Sequence, residues 1–371
     1  MAKRGERWVV KAGSSLIAGN DKGLDRSFIK ALAYQINYLL KKEIEIIVVS
    51  SGAIAKGIFE LDMLERPSNL ALLQASAAVG QLGLINSYQE EFNKYNIKTA
   101  QVLISHDDIV DRHRYLNSRN SLITLLNLGV VPIVNENDSV ATEEITFGDN
   151  DMLAGSLTGL IQATRLVILT DQKGICDSDP TTNKNSKLLR EIDLERDKSE
   201  LKRLVQSSSG ILGRGGIKTK LDASRLALDF GVEVIVADGR KHDTLISISD
   251  GKEIGTSVIS KSRHLTSRKK WIASLGTPNG KLILDEGAVT AITKKGSSLL
   301  PVGITNIERE FKRGDLLSCR DKTGSEIARG LTNFSSKELK KILGLNSKKI
   351  AEELGYPTDE EVIHRDNLIL R

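Results

Sequence analysis

The chain has 371 residues, of which 40% are hydrophobic and 27% charged, with a net charge of +5. That balance fits a soluble globular protein of two or three domains and excludes collagen-like, intrinsically disordered and small disulfide-stapled classes. The two cysteines, Cys176 and Cys319, stand far apart, so a reducing compartment is expected and a disulfide framework is not.

The basic start, MAKRGERWVV, holds an apolar run too short for a signal peptide, and no run approaches the length of a membrane span. The expectation is therefore a cytoplasmic protein. Six short apolar runs follow along the chain, at 8–10, 44–49, 102–104, 130–134, 166–169 and 232–236. Most are β-branched and nearly continuous, which predicts strands buried on both faces, as in a parallel sheet. Helical spacing fills the stretches between them. In 149–163, for example, Leu153, Leu157, Leu160 and Ile161 share one face. The fold class is α/β, an open and mostly parallel sheet sandwiched by helices.

The polar, basic stretch 261–276 reads as a linker, which sets expected domains at 1–260 and 277–371. Beyond it, short runs at 281–284, 289–293, 299–302, 316–319 and 326–328, punctuated by glycines, predict a small, mainly β module of barrel type. A helix is expected over 336–354, stopped by Gly355 and Pro357. From Lys261 onward there are 21 basic against 14 acidic residues, a balance of +7, while the rest of the chain stands at −2. Such a tail suits an RNA or phosphate partner, or simply a lysine-rich solvated surface.

In open α/β sheets, ligands bind beyond the carboxyl ends of the strands. Five predicted strand ends carry small, polar or charged residues: Lys11 with Gly13 and Ser14, Ser50 with Ser51, Asn135 to Asp138, Thr170 with Asp171, and Asp238 with Gly239. Lys11 is either a snorkelling strand-end lysine or a phosphate ligand beside a glycine turn. The run GILGRGGIKTK at 210–220 combines glycines with basic residues and reads as a mobile loop leading into a helix after Lys220, which suits a phosphate cradle. The run EEITFGDND at 143–151 offers Asp149 or Asn150 as a helix N-cap. Together with Asp138, its polar residues also suit a small zwitterion, with Asp taking the ammonium and Asn the carboxylate. No dinucleotide fingerprint, P-loop, nucleophile elbow or His/Cys metal cluster is present in the sequence. A lysine-lined rim without a nucleophile fits phosphoryl transfer by positioning and charge neutralisation. A carboxylate acceptor, with a pKa of about 4.3, needs no general base at neutral pH.

The motifs VVKAGSS at Val9, VSSGAIAKG at Val49, VPIVNENDSVAT at Val131, FGDND at Phe147, LTDQKGI at Leu169 and GRGGIKTK at Gly213 resemble the amino acid kinase family. In the tail, DEGAVTAI at Asp285, GSSLLPVGI at Gly296, FKRGD at Phe311 and EIARGL at Glu326 resemble a PUA module. The resemblance covers nearly the whole chain. It implies ATP-dependent phosphorylation of the L-glutamate side-chain carboxylate, the first step of proline synthesis. It also implies that Lys11 and Lys220 stabilise the transferring phosphoryl group and that Asp151 organises them. Ser51, Asp138 and Asn150 match glutamate-binding positions. Lys11, Thr170, Asp171, Arg214, Gly215, Gly216, Ile217, Lys218, Thr219 and Lys220 match nucleotide-binding positions. Mg2+ is expected on the phosphates and water rather than in a protein cage. The resemblance further implies a homo-oligomer and proline as a feedback inhibitor. Ser14, Arg214, Ile217 and Lys218 depart from the usual threonine, threonine, methionine and serine, departures that bear on nucleotide contacts. Two alternatives are a related kinase with N-acetylglutamate, aspartate, carbamate or uridylate as acceptor, and an RNA-binding protein acting through the tail.

Overall fold

The computed structural model describes residues 5–19, 23–105, 108–109, 111–140, 150–178, 180, 182–183, 185–207, 216–260, 277–346, 349–356 and 360–370. The chain divides into two compact units, one of Met1–Val110 with Ser118–His264 and one of Asp111–Asn117 with Leu265–Arg371.

The first unit is built on a sheet whose strands are β1 (Arg7–Ala12), β2 (Glu45–Ser50), β3 (Thr99–Ile104), β4 (Val131–Glu136), β5 (Arg165–Thr170), β6 (Glu191–Asp193), β7 (Glu233–Asp238) and β8 (Thr256–Ile259). Their order across the sheet is β3-β4-β2-β1-β5-β7-β8-β6. All six apolar runs read from the sequence are strands of this sheet. β1, β2, β4 and β5 are buried along almost their whole length, as strands covered on both faces must be. The pairings from β3 through to β7 are all parallel, so their carboxyl ends lie along one edge. β8 runs antiparallel to β7, with Val234 opposite Val258. The short strands β6, at the edge, and β8, beside it, escape the sequence reading because neither carries a continuous apolar run. The chain leaves β1 toward β2 on one side and reaches β5 on the other, so the gap between β1 and β5 is the topological switch point where ligand crevices open.

The helix Leu70–Asn93 is the longest described. By length and hydropathy it qualifies as a membrane span, contrary to the sequence expectation that no stretch approaches one. Its Leu84, Tyr88 and Phe92 are nevertheless fully buried in the main core cluster, the environment of a core helix.

The second unit carries β9 (Gly280–Leu284), β10 (Ile304–Glu308), β11 (Leu316–Arg320), β12 (Glu326–Leu331) and β13 (Leu368–Leu370) in the order β10-β9-β11-β12-β13. Three expectations are corrected here. Residues 289–293 belong to the helix Glu286–Lys295, because Asp285 caps its start by accepting from the Ala288 N–H and Gly296 ends it in the left-handed region. These caps override the β-branched character of Val289 and Ile292. Residues 299–302 supply one bridge, Leu299 to Ile363, and enter the 3-10 turn Pro301–Gly303. The helix expected over 336–354 is two, Ser336–Ile342 and Ile350–Leu354, with Gly344 at φ +72° between them. The linker 261–276 lies outside the described residues.

The helix Ser336–Ile342 is held at its start by a capping box in which the Ser335 hydroxyl accepts from the Glu338 N–H while the Glu338 carboxylate accepts from the Ser335 N–H. Ser335→Ala removes one half of that exchange, a loss of about 1 kcal/mol. Hydrogen exchange of the Glu338 amide is expected to speed up about fivefold, as mass spectrometry of the peptide would register; unchanged exchange would show that the cap contributes nothing.

Candidate active site

Lys11 is the fifth residue of β1 and sits almost wholly inside the protein, 4% exposed. Asp151, in the first turn of the helix Asn150–Leu160, is fully buried. Lys220 lies in the first turn of the helix Ile217–Asp229. These three meet. The Lys11 Nζ is 2.6 Å from Asp151 Oδ1, and the Lys220 Nζ is 3.5 Å from Asp151 Oδ2. The Thr219 hydroxyl donates to Asp151 Oδ2 at 2.9 Å. A carboxylate in the first turn of a helix also gains from the positive end of the helix dipole.

The close approach of the two helices makes the meeting feasible. A Cβ placed on Gly155 would lie 2.8 Å from the Ala223 carbonyl oxygen, so only glycine lets the helix Asn150–Leu160 rest directly on the backbone of the helix Ile217–Asp229. The expectation that the glycine-rich stretch runs as a loop to Lys220 is corrected: Gly216 is the N-cap, and Ile217, Lys218, Thr219 and Lys220 are already helical. Lys218 is exposed, whereas Thr219 and Lys220 turn inward.

Burial pushes the Asp151 carboxyl upward, but the Lys11 and Lys220 charges, with the Thr219 hydroxyl, outweigh it and hold the group at about 2. Burial pulls Lys220 below the ordinary 10.5, a shift that Asp151 opposes and Lys11 reinforces. Two cations on one anion leave the cluster at +1 in a water-poor place. Desolvating such charges costs several kcal/mol per ion, so the arrangement is built to receive an anion.

A second cluster lies at the ends of β2 and β4. Asn150 Nδ2 faces three acceptors: the Ser50 carbonyl at 2.9 Å, the Ser51 hydroxyl at 3.0 Å and Asn135 Oδ1 at 3.0 Å. Ser51 and Asn150 are thus brought together, and Asn150 and Asp151 are neighbours on one helix turn, which joins the two clusters. Asp138 stands half-buried in the turn after β4, where it lines a cavity of about 20 Å3 with Gln81, Leu103 and Asn137. At the end of β5, the Thr170 hydroxyl donates to Asp171 at 3.2 Å, and Arg240, on the β7 turn, is 3.7 Å from the Asp171 carboxylate. Asp171 also acts electrostatically on Lys220, so the β5 end borders the charged triad. Arg214 and Gly215 lie outside the described residues, as do Gly148 and Asp149.

Among the described residues, no group of three His, Cys, Asp or Glu side chains could cage a metal. The Asp151 oxygens face two lysines and a threonine, so these residues fit an Mg2+ ion that arrives with nucleotide phosphates rather than one held by the protein alone. Two partners escaped the sequence reading. Along the chain Asn135 is one polar residue among several after a strand, and Gln81 belongs to no motif. The available signal for Gln81 was its position on the inward face of a helix, in line with Leu73, Ala77, Leu84 and Tyr88, where a polar residue needs a buried partner.

Residues 6–238 match the amino acid kinase family, and residues 280–354 match the PUA domain. A protein of Saccharophagus degradans named glutamate 5-kinase is 47% identical over 373 residues, covering 100% of this chain and 98% of its own length. Another of the same name, from Nitrosococcus oceani, is 46% identical and covers 99% of this chain and 98% of its own.

Asp151→Asn tests the triad. Removing one partner of a buried ion pair typically costs about 3–5 kcal/mol, and here it strands two lysines. Because the folded Asp151 pKa lies below the ordinary 3.8, its stabilisation is fully present above that value and is lost as pH falls toward about 2. Urea denaturation of both proteins across pH is expected to give a constant gap from pH 7 to 5 that narrows below pH 4; a gap that does not change with pH would refute the assignment.

Proposed function

Because this chain belongs to the amino acid kinase family, and within it to the glutamate 5-kinases, we propose that it transfers the γ-phosphoryl group of ATP to the side-chain carboxylate of L-glutamate, giving L-glutamyl 5-phosphate, the first step of proline biosynthesis. The observation that carries this reading is the buried Lys11–Asp151–Lys220 triad with its net positive charge. Charge on the phosphoryl oxygens is spread in the transition state, and preorganised cations in a water-poor site stabilise it without reorganising. Lys11 and Lys220 are the two catalytic cations. Asp151 pairs with both and keeps them aimed. Thr219 holds Asp151 in place.

The acceptor is already a carboxylate, so no side chain has to remove a proton. Ser51 and Asn150 hold the acceptor, and Asp138 takes its ammonium group. Thr170, Asp171 and the segment from Arg214 to Lys220 hold the nucleotide. Mg2+ bound with the nucleotide supplies further charge neutralisation of its phosphates. Residues 1–260 form the kinase domain, 261–276 the linker and 277–371 the PUA-containing domain. Cytoplasmic residence agrees with the two cysteines, both free.

The test is a hydroxylamine trap for acyl phosphate with ATP, Mg2+ and a panel of L-glutamate, N-acetyl-L-glutamate and L-aspartate, with ADP release followed in parallel for these and for uridylate. Hydroxamate is expected from L-glutamate alone. ADP release with uridylate and no hydroxamate would replace the substrate.

In the same assay Lys11→Ala and Lys220→Ala are each expected to lower kcat by about 100-fold or more, since each removes charge that acts on the transition state. Turnover like that of the unmodified enzyme in either would overturn the role. Asp138→Ala is expected to raise the KM for L-glutamate by roughly tenfold or more, the scale of a lost charged hydrogen bond. An unchanged KM would move the ammonium site elsewhere.

A further inference from the structure

The amide of Asn150 is the last member of a buried chain that begins on another helix. Asn135 Nδ2 donates to Gln81 Oε1 at 2.8 Å, and Asn135 Oδ1 accepts from Asn150 Nδ2 at 3.0 Å. The three side chains are 8%, 1% and 8% exposed. Their direction is fixed by the backbone. Asn135 Oδ1 also receives the Glu136 N–H at 2.9 Å, and a backbone N–H can only donate. The Asn135 Nδ2 must therefore face Gln81, and Gln81 must present its carbonyl oxygen. At the other end, the Ser50 carbonyl can only accept, so Asn150 Nδ2 points to it. The chain has one sense and two open ends: Gln81 Nε2 and Asn150 Oδ1 are both buried with no hydrogen-bond partner among the described residues. Buried groups of this kind are rarely left open without a role.

Gln81 reaches this place because its helix is seated on the turn that carries the serines. A Cβ on Gly80 would lie 2.0 Å from the Ala53 carbonyl oxygen, and one on Gly57 would lie 1.7 Å from that of Ser76. The helices Leu70–Asn93 and Ala53–Glu60 therefore touch backbone to backbone. Ala53 follows Ser50, Ser51 and Gly52 directly, and Tyr88 of the long helix is 3.0 Å from the Ser50 hydroxyl. Gln81 also lines the small cavity that holds Asp138. Gln81 thus bonds Asn135 directly, reaches Asn150 through it, and lines the same cavity as Asp138.

We infer that Gln81 is a positioning residue for the acceptor: through Asn135 it locks the amide of Asn150 in the orientation that receives the amino acid, while leaving the nucleotide side untouched. This rests on the glutamate kinase reading above. Without the Gln81 oxygen, Asn135 keeps a buried donor with no acceptor; its orientation then rests on the Glu136 N–H alone, and its hold on the Asn150 amide weakens.

The experiment is a double-mutant cycle of Gln81→Met, which keeps the side-chain length and removes both polar atoms, with Asn150→Ala. KM is measured separately for L-glutamate and for ATP. Gln81→Met alone is expected to raise the glutamate KM about tenfold, with the ATP KM unchanged and kcat within about twofold. In the Asn150→Ala background the same change is expected to add less than about twofold, because residues acting through one network are not additive. A glutamate KM that does not move, an equal rise in both KM values, or a full additive effect in the double variant would each overturn the inference. If Gln81→Met is insoluble, Gln81→Ala takes its place with the same outcomes. The unmodified enzyme separates the two levels: absence of hydroxamate from L-glutamate refutes the kinase reading, whereas an active enzyme indifferent to Gln81 refutes only this role.

Discussion

Two lysines share one buried carboxylate, and the surrounding structure is arranged to tolerate that. Lys11 comes from a central strand, Asp151 and Lys220 from the first turns of two helices, and all three are almost closed off from water. Ions held in this way are costly to desolvate, and their mutual attraction offsets the cost only if the geometry is held rigidly. Lys11 is anchored by the strand pairing of β1 with both β2 and β5. Asp151 and Lys220 are anchored by a helix contact so close that Gly155 has no room for a side chain. The charge left over after pairing is positive, which makes the site electrostatically incomplete without an anion.

The same construction is used a second time around Asn150. There the close contact is between the helices Ala53–Glu60 and Leu70–Asn93, and the side chains brought together are uncharged. A chain of amides replaces the ion pairs, and it gains direction from the backbone groups at its ends. In the proposed function the two halves differ in what they must recognise. A phosphoryl group carries dense charge and is met by cations. An amino acid has donors and acceptors at defined places and is met by groups whose orientation is fixed. Because Asn150 and Asp151 are consecutive residues, the two halves share one helix start.

Much of the fold was legible along the chain, for a definite reason. A strand covered on both faces has to be apolar at nearly every position, and such runs stand out. All six were found, and the ends of the parallel strands pointed to one rim. Strands with weaker requirements did not show: β6 at the edge and β8 beside it are short and carry few apolar residues. In the second unit, the β-branched residues of 289–293 suggested a strand, yet Asp285 and Gly296 at either end were the better guides, because caps satisfy backbone groups that a short helix cannot leave open. The break at Gly344 had the same kind of signal within an otherwise helical pattern.

By itself the sequence determined the chemical vocabulary of the site: lysines, carboxylates and amides placed just after buried strands or at helix starts. Local periodicity and turn residues are enough for that, since they act over a few neighbours. Which of those residues meet was decided only by the tertiary structure. Lys11 finds Asp151, and Gln81 finds Asn135, across long stretches of chain, through strand registers and backbone-to-backbone helix contacts that no local pattern encodes. Gln81 shows the difference most plainly. In sequence it is one polar residue in a helix; in the fold it is the start of a buried amide chain, because two glycines let its helix settle onto the turn that bears Ser50 and Ser51.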